Sequence, residues 1–299
     1  MIKPEGIIPA MITPFTSDQE VSEQGIRKLV NDLIESGVHG LFCLGTNGEF
    51  FSLTFDEKVE IARIIVDEAK GRVPIYVGAG CISTKETISL AKKMEQLNVD
   101  ALSVITPYFL AFSQEELYEH FKQIANSTRL PIILYNIPDR TGNSLQAHTV
   151  VRLSEIDNIV GMKDSSGKID NILQYLDAVN PNFSVLAGTD SLILPTLMAG
   201  GKGAIAATAN VLPQTVVSIY ENWKIGKYEE AQIAQDQLRD LRLAIKLGTL
   251  PAALKEALNY TGFPAGPSRL PVEPLSSLEK SKLEHTMKKY NEKNLINSV

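Results

Sequence analysis

The chain carries little that would staple, anchor or metallate it. Cys43 and Cys81 are the only cysteines in 299 residues. Each lies inside or beside an apolar segment, so both are read as reduced, packed thiols and no disulfide framework is expected. The four histidines, His39, His120, His148 and His285, fall before a strand pattern or on helical patterns, without the grouping a catalytic zinc needs. No metal and no cofactor are expected. No apolar run is long enough to span a bilayer, and Met1-Ile2-Lys3-Pro4-Glu5 lacks the basic-then-apolar layout of a signal peptide. A cytoplasmic protein with no membrane partner is the expectation. Charge of one sign is also scarce: 29 basic residues face 35 acidic ones, a formal net charge of −6, with no run of like charges. That speaks against nucleic acid as a partner. A dinucleotide fingerprint is missing too, because Ser83 stands where the third glycine after Gly78-Ala79-Gly80 belongs.

What is present is a core. Apolar residues make up 44% of the chain, and short runs rich in valine and isoleucine recur, bounded by glycine, proline or small polar residues. They predict strands at Ile7 to Ile12, Gly40 to Leu44, Ile75 to Val77, Ala101 to Ile105, Ile132 to Tyr135, Ile159 to Met162, Ser184 to Leu186 and Ala204 to Ala207. Amphipathic helical stretches lie between them. Three open on a capping-box pattern: Thr54 with Glu57, Ser83 with Glu86, and Ser113 with Glu116. Eight alternating strand and helix units make the fold class α/β, a (β/α)8 TIM barrel, with an open doubly wound sheet as the competitor. Past Leu212 only helical periodicity remains, through Val216 to Trp223, Tyr228 to Leu247, Pro251 to Tyr260 and Ser276 to Tyr290. The expected organisation is a barrel over 1–225 and a C-terminal helical extension over 226–299 packed on it.

In such a barrel the chemistry sits where strands end. Thr13-Pro14, Gly45-Thr46-Asn47-Gly48-Glu49, Thr106-Pro107-Tyr108-Phe109, Tyr135 to Gly142, Lys163 to Gly167, Gly188-Thr189-Asp190 and Thr208-Ala209-Asn210 all follow strand patterns. Lys163 stands directly after Ile159 to Met162, where its side chain would aim into the mouth. Burial there disfavours the ammonium, and a free amine is the form that attacks a ketone. A lysine paired with Asp164, or reaching to solvent, is the bland alternative; the neighbouring loops weigh against it. Most other lysines, Lys255 among them, are read as lying on helix faces. Tyr135 ends the preceding strand, so its phenol can stand beside Lys163 as an acid and base, or be a core tyrosine. The Gly45 to Glu49 turn can hold a carboxylate on its amides and the Thr46 hydroxyl, or be only a turn. Arg140 can clamp a second carboxylate, or be a surface arginine. Gly188 is the lone glycine after the last two strands, where sugar-phosphate barrels place several, so a substrate without phosphate is expected.

Taken together, Gly45 to Glu49, Thr106-Pro107-Tyr108, Tyr135 to Pro138, Gly161-Met162-Lys163-Asp164 and Leu186 to Asp190 resemble the dihydrodipicolinate synthase and N-acetylneuraminate lyase family in order and spacing. The resemblance runs from Gly6 to about Leu275. It implies an eight-fold barrel, usually a homotetramer, acting on pyruvate and an aldehyde. Lys163 would form the pyruvate imine and Tyr135 would be the acid and base. Thr46 would join the proton relay, Thr46 and Asn47 would bind the pyruvate carboxylate, and Gly188 and Ile205 would line the pocket. Arg140 matches the arginine that dihydrodipicolinate synthases use for the aspartate-semialdehyde carboxylate. Two departures point elsewhere: Asn47 replaces a threonine, and Phe109 replaces the tyrosine that crosses a subunit interface to complete the relay. The stretch Gly48 to Phe55 lacks the polar residues of lysine-inhibited synthases. With Leu250 to Leu258 and Gly266-Pro267, these features resemble aldolases that cleave 2-keto-3-deoxy sugar acids or 4-hydroxy-2-keto acids, which is the main expectation. Dihydrodipicolinate synthase is the second reading, and a non-catalytic keto-acid sensor is the alternative of another class.

Overall fold

The computed structural model describes residues 2–296. Eight parallel strands run β1 Gly6–Pro9, β2 Leu41–Cys43, β3 Ile75–Gly78, β4 Ala101–Ile105, β5 Ile132–Asn136, β6 Ile159–Asp164, β7 Ser184–Ala187 and β8 Gly203–Ala206. From β2 to β8 each strand pairs with its sequence neighbour, and β8 pairs with β1. The ring closes between β1 and β2 through the bridge of Ala10 with Phe42, where the Met11 amide donates to the Phe42 carbonyl at 2.9 Å. The fold is a TIM barrel with C-terminal helices.

Two apolar layers follow from the strand period of two. Ile8, Ala10, Phe42, Tyr76, Ala101, Ile133, Leu186 and Ile205 fill the barrel interior, separate from the larger shell between strands and helices. Helix starts are set by the hydroxyl caps expected of them. Thr54 and Ser113 form complete capping boxes with Glu57 and Glu116, whereas Ser83 caps the Glu86 amide without the return bond. A further box, Ser276 with Glu279, opens the last helix, Ser277–Glu292.

Three boundaries depart from the sequence reading. β1 stops at Pro9 and not at Ile12, because the Asn210 side chain takes over its pairing: Oδ1 accepts from the Ile12 amide at 3.1 Å and Nδ2 donates to the Ala10 carbonyl at 2.8 Å. β6 continues through Lys163 and Asp164, which pair with Tyr135 and Asn136 of β5; Lys163 is therefore a strand residue and not the first residue of a loop. The expected helix Tyr228 to Leu247 is broken into Tyr228–Gln237 and Arg239–Ala244. The Tyr290 hydroxyl accepts from the Leu241 amide at 3.0 Å and donates to the Gln237 carbonyl, occupying the place of the helical bond between those two groups. Among the described residues no helix is long and apolar enough to cross a membrane.

Candidate active site

The site is built on adjacent strands. Tyr135 and Lys163 are direct partners across β5 and β6, and Lys163 and Leu186 across β6 and β7. Register partners in a parallel sheet point to the same side, and Leu186 belongs to the interior layer. Lys163 and Tyr135 thus enter the barrel, each only 4% exposed. The Lys163 amine lies 4.1 Å from the centre of the Tyr135 ring and 5.0 Å from that of Phe42. The Tyr135 hydroxyl is 3.3 Å from Thr46 Oγ1.

Asp164, one residue on, points the opposite way, which removes the pairing that a sequence reading leaves open for Lys163. Its carboxylate accepts from Asn136 Nδ2 at 2.7 Å and from the Ser166 hydroxyl, and burial pushes its pKa up. Asn136 Oδ1 accepts from the Leu145 amide, while the Tyr175 hydroxyl donates to the Leu145 carbonyl. This buried network holds the loops after β5 and β6 together. Sequence reasoning missed it, although its signal is simple: Asn136 and Asp164 each directly follow an inward-facing strand residue, so they face the shell.

The turn after β2 is pinned on both sides. Thr13 Oγ1 donates to the Gly48 carbonyl at 2.7 Å, and Asn47 Nδ2 donates to the Ala10 carbonyl at 3.3 Å. Glu49, at φ 56°, carries its side chain away from the mouth into the C-terminal helices, where Oε1 meets Lys255 Nζ at 2.6 Å. Lys255 was expected on a helix face; it is 1% exposed. Burial lowers its pKa to about 8, against the opposing pull of Glu49. Lys255 also donates to the Pro267 carbonyl and stands 3.9 Å from the centre of the Phe15 ring.

Above Lys163 opens a cavity of about 410 Å³, within the range of small-molecule sites. Thr46, Asn47, Tyr135, Arg140, Lys163, Gly188 and Ile205 all line it. Gly188 is required for space: a Cβ there would lie 2.9 Å from Lys163 Cε and 2.1 Å from Ser165 Oγ. Phe109 is the one expected residue that the cavity does not include. It is 88% exposed at φ 83°, while its neighbour Tyr108 stacks edge-on against Phe50. Ser165, Ser166, Thr189 and Asp190, which belong to the strand-end stretches read from sequence but were given no role there, also line it, whereas Arg242, Ile245 and Lys246, from the C-terminal segment, were not foreseen. An amine, a phenol and a hydroxyl so arranged can add to a bound carbonyl and move its protons.

A profile of the Dihydrodipicolinate synthetase family matches residues 3–290. The chain belongs to that family. Its relatives include the 4-hydroxy-tetrahydrodipicolinate synthase of Methanopyrus kandleri, 40% identical over 95% of this chain and 96% of that one. Another is the 4-hydroxy-tetrahydrodipicolinate synthase 1 of Halalkalibacterium halodurans, 40% identical over 93% and 94%. Among solved structures of the dihydrodipicolinate synthase family, the E. coli prophage protein YagE in complex with pyruvate is 34% identical. It superposes with a TM-score of 0.92 over 96% of this chain and 98% of its own. The chain is an enzyme of this family's class I aldolase type, a carbon–carbon lyase, which sets the sensor reading aside.

Proposed function

We propose that this enzyme holds pyruvate as an imine on Lys163 and joins it to aspartate semialdehyde, as a 4-hydroxy-tetrahydrodipicolinate synthase. The placement of the Lys163 amine against Tyr135, itself hydrogen-bonded to Thr46, carries the imine chemistry. The Lys163 amine adds to the keto carbon and water leaves. Loss of a methyl proton gives the enamine, whose carbon bonds to the aldehyde carbon while the aldehyde oxygen takes a proton. Hydrolysis, or displacement by an amine on the partner, returns the lysine. Tyr135 moves the protons and Thr46 orients its hydroxyl. The unpaired amides of the Thr46-Asn47 turn receive the pyruvate carboxylate, and Arg140 receives that of the partner. The names of relatives 40% identical support this partner over the sugar-acid cleavage that the sequence favoured.

Cleavage of a 2-keto-3-deoxy sugar acid or 4-hydroxy-2-keto acid is retained as the second reading on one observation: Phe109 has no hydroxyl and lies outside the cavity. Borohydride reduction in the presence of pyruvate should leave a pyruvyl adduct on the peptide containing Lys163; an unmodified peptide from folded protein overturns the imine. Side-by-side turnover of 2-keto-3-deoxygluconate and of pyruvate with aspartate semialdehyde separates the two readings. The exposed apolar pair Phe109 and Leu110, 88% and 60% accessible, is covered in a homotetramer, which sedimentation tests directly.

A further inference from the structure

Seven of the nine arginines are tied to a neighbour. Arg27, Arg63, Arg129, Arg152, Arg239 and Arg269 are in ion pairs, and Arg72 donates to Asn31 and two carbonyls. Among the described residues, the two whose guanidinium groups have no such partner are Arg140 and Arg242, and both line the cavity above Lys163. They reach it from distant parts of the chain: Arg140 from the short helix Pro138–Thr141 after β5, Arg242 from Arg239–Ala244 in the C-terminal helices. Lys246 joins them on the lining, likewise unpaired. Arg242 is half-buried, while Arg140 and Lys246 are exposed.

Carboxylates do not balance these cations. Asp139 and Asp190 are the acidic residues on the lining, and the two oxygens of Asp190 already accept from the amides of Ala207 and Thr208 at 3.2 and 2.6 Å. A half-buried guanidinium without a carboxylate is short of acceptors, and its five donors fit a planar or tetrahedral oxyanion. The pyruvate end of the cavity has its own polar groups in the Thr46 turn, which lies against Tyr135. The cations on the lining are therefore left for a second anion.

We infer that Arg242, with Lys246, forms a second anion anchor in addition to Arg140, so that the enzyme selects an aldehyde whose far end is acidic, and that Arg242 sets this specificity from outside the barrel. The inference rests on the pyruvate-imine reading, but not on which aldehyde is the natural one. Its shared chemistry is an oxyanion, carboxylate or phosphate.

The experiment compares wild type, Arg242→Leu, Arg242→Lys and Lys246→Gln with pyruvate and three aldehydes: aspartate semialdehyde, glyceraldehyde 3-phosphate and uncharged glyceraldehyde. Wild type should prefer an acidic aldehyde. In Arg242→Leu the ratio of kcat/KM for that aldehyde over glyceraldehyde should fall about 10- to 100-fold, the worth of a charged hydrogen bond. Arg242→Lys should recover part of it, and Lys246→Gln should lose less. Which acidic aldehyde suffers more tells carboxylate from phosphate. An equal loss for acidic and neutral aldehydes, or wild type preferring glyceraldehyde, overturns the inference. Borohydride trapping with pyruvate on the same samples reads the imine separately. Should trapping fail, calorimetric titration of succinate and inorganic phosphate still decides: binding that Arg242→Leu leaves unchanged overturns the anchor.

Discussion

Glu49 and Lys255 form a fully buried ion pair, 2.6 Å from Oε1 to Nζ, that fastens the turn after β2 to the C-terminal helices. Removing one partner strands the other charge in the core. Lys255→Met should therefore cost about 3–5 kcal/mol in urea unfolding at neutral pH. The double variant with Glu49→Gln should regain a large part of that loss. Because Thr46 and Asn47 share the turn, the single variant should also raise the KM for pyruvate, and steady-state kinetics on the folded fraction measures it.

Gly188→Ala places a methyl 2.9 Å from Lys163 Cε. Ser165 Oγ at 2.1 Å and the Asp164 carbonyl oxygen at 2.9 Å are met as well, so Ser165, Lys163 and the β6 end must all give, and overpacking of this kind costs roughly 1–3 kcal/mol. A cooperative unfolding transition should persist, while borohydride trapping of pyruvate slows by about tenfold or more, since small misplacements of reacting groups cost rate steeply. Unchanged trapping kinetics would show that the space at Gly188 is not needed by the lysine.

Tyr135→Phe keeps the ring beside the Lys163 amine and removes only the hydroxyl. Turnover should drop about 10²- to 10⁴-fold, the usual weight of a placed acid and base, with the far-ultraviolet spectrum unaltered. Thr46→Val should have a smaller effect in the same direction, because Thr46 acts through the Tyr135 hydroxyl 3.3 Å away.

His120 sets a pH dependence of stability. It is buried on the helix Gln114–Asn126 with Nδ1 2.8 Å from Thr84 Oγ1 and Nε2 unpartnered, and burial lowers its pKa from 6.5 to about 4. Between those values the unfolded chain binds the proton and the native state does not, so stability falls as pH drops from 6.5 towards 4. The loss amounts to at most about 3 kcal/mol. Urea midpoints across this window should flatten in His120→Gln after subtraction of the other titrating groups.

The barrel was readable because strands buried on both faces leave continuous apolar runs; the strand-end rule then gathered Lys163, Tyr135, Thr46, Asn47, Arg140 and Gly188, the family resemblance added Ile205, and all of them line one cavity. What escaped depends on partners far apart in sequence. The end of β1 is decided by Asn210, and the break in the helix after Tyr228 by Tyr290. Lys255 looks like any helical lysine until Glu49 is seen against it. Arg242 carries no local mark of a site; only the folding of the C-terminal helices over the mouth brings it there. Phe109 shows the opposite limit, since its motif position is plain but its place on the surface of a single chain is not.

The hydroxyl of Tyr290, spliced between Gln237 and Leu241, makes the last helix a hinge pin for the segment that bears Arg242. The break that sets that segment off from the helix before it is made by one phenol from the final helix, while Gln235 ties that preceding helix to the end of β7. Variation at this distant joint can retune which aldehydes enter while leaving the imine-forming lysine, its strand and its register untouched.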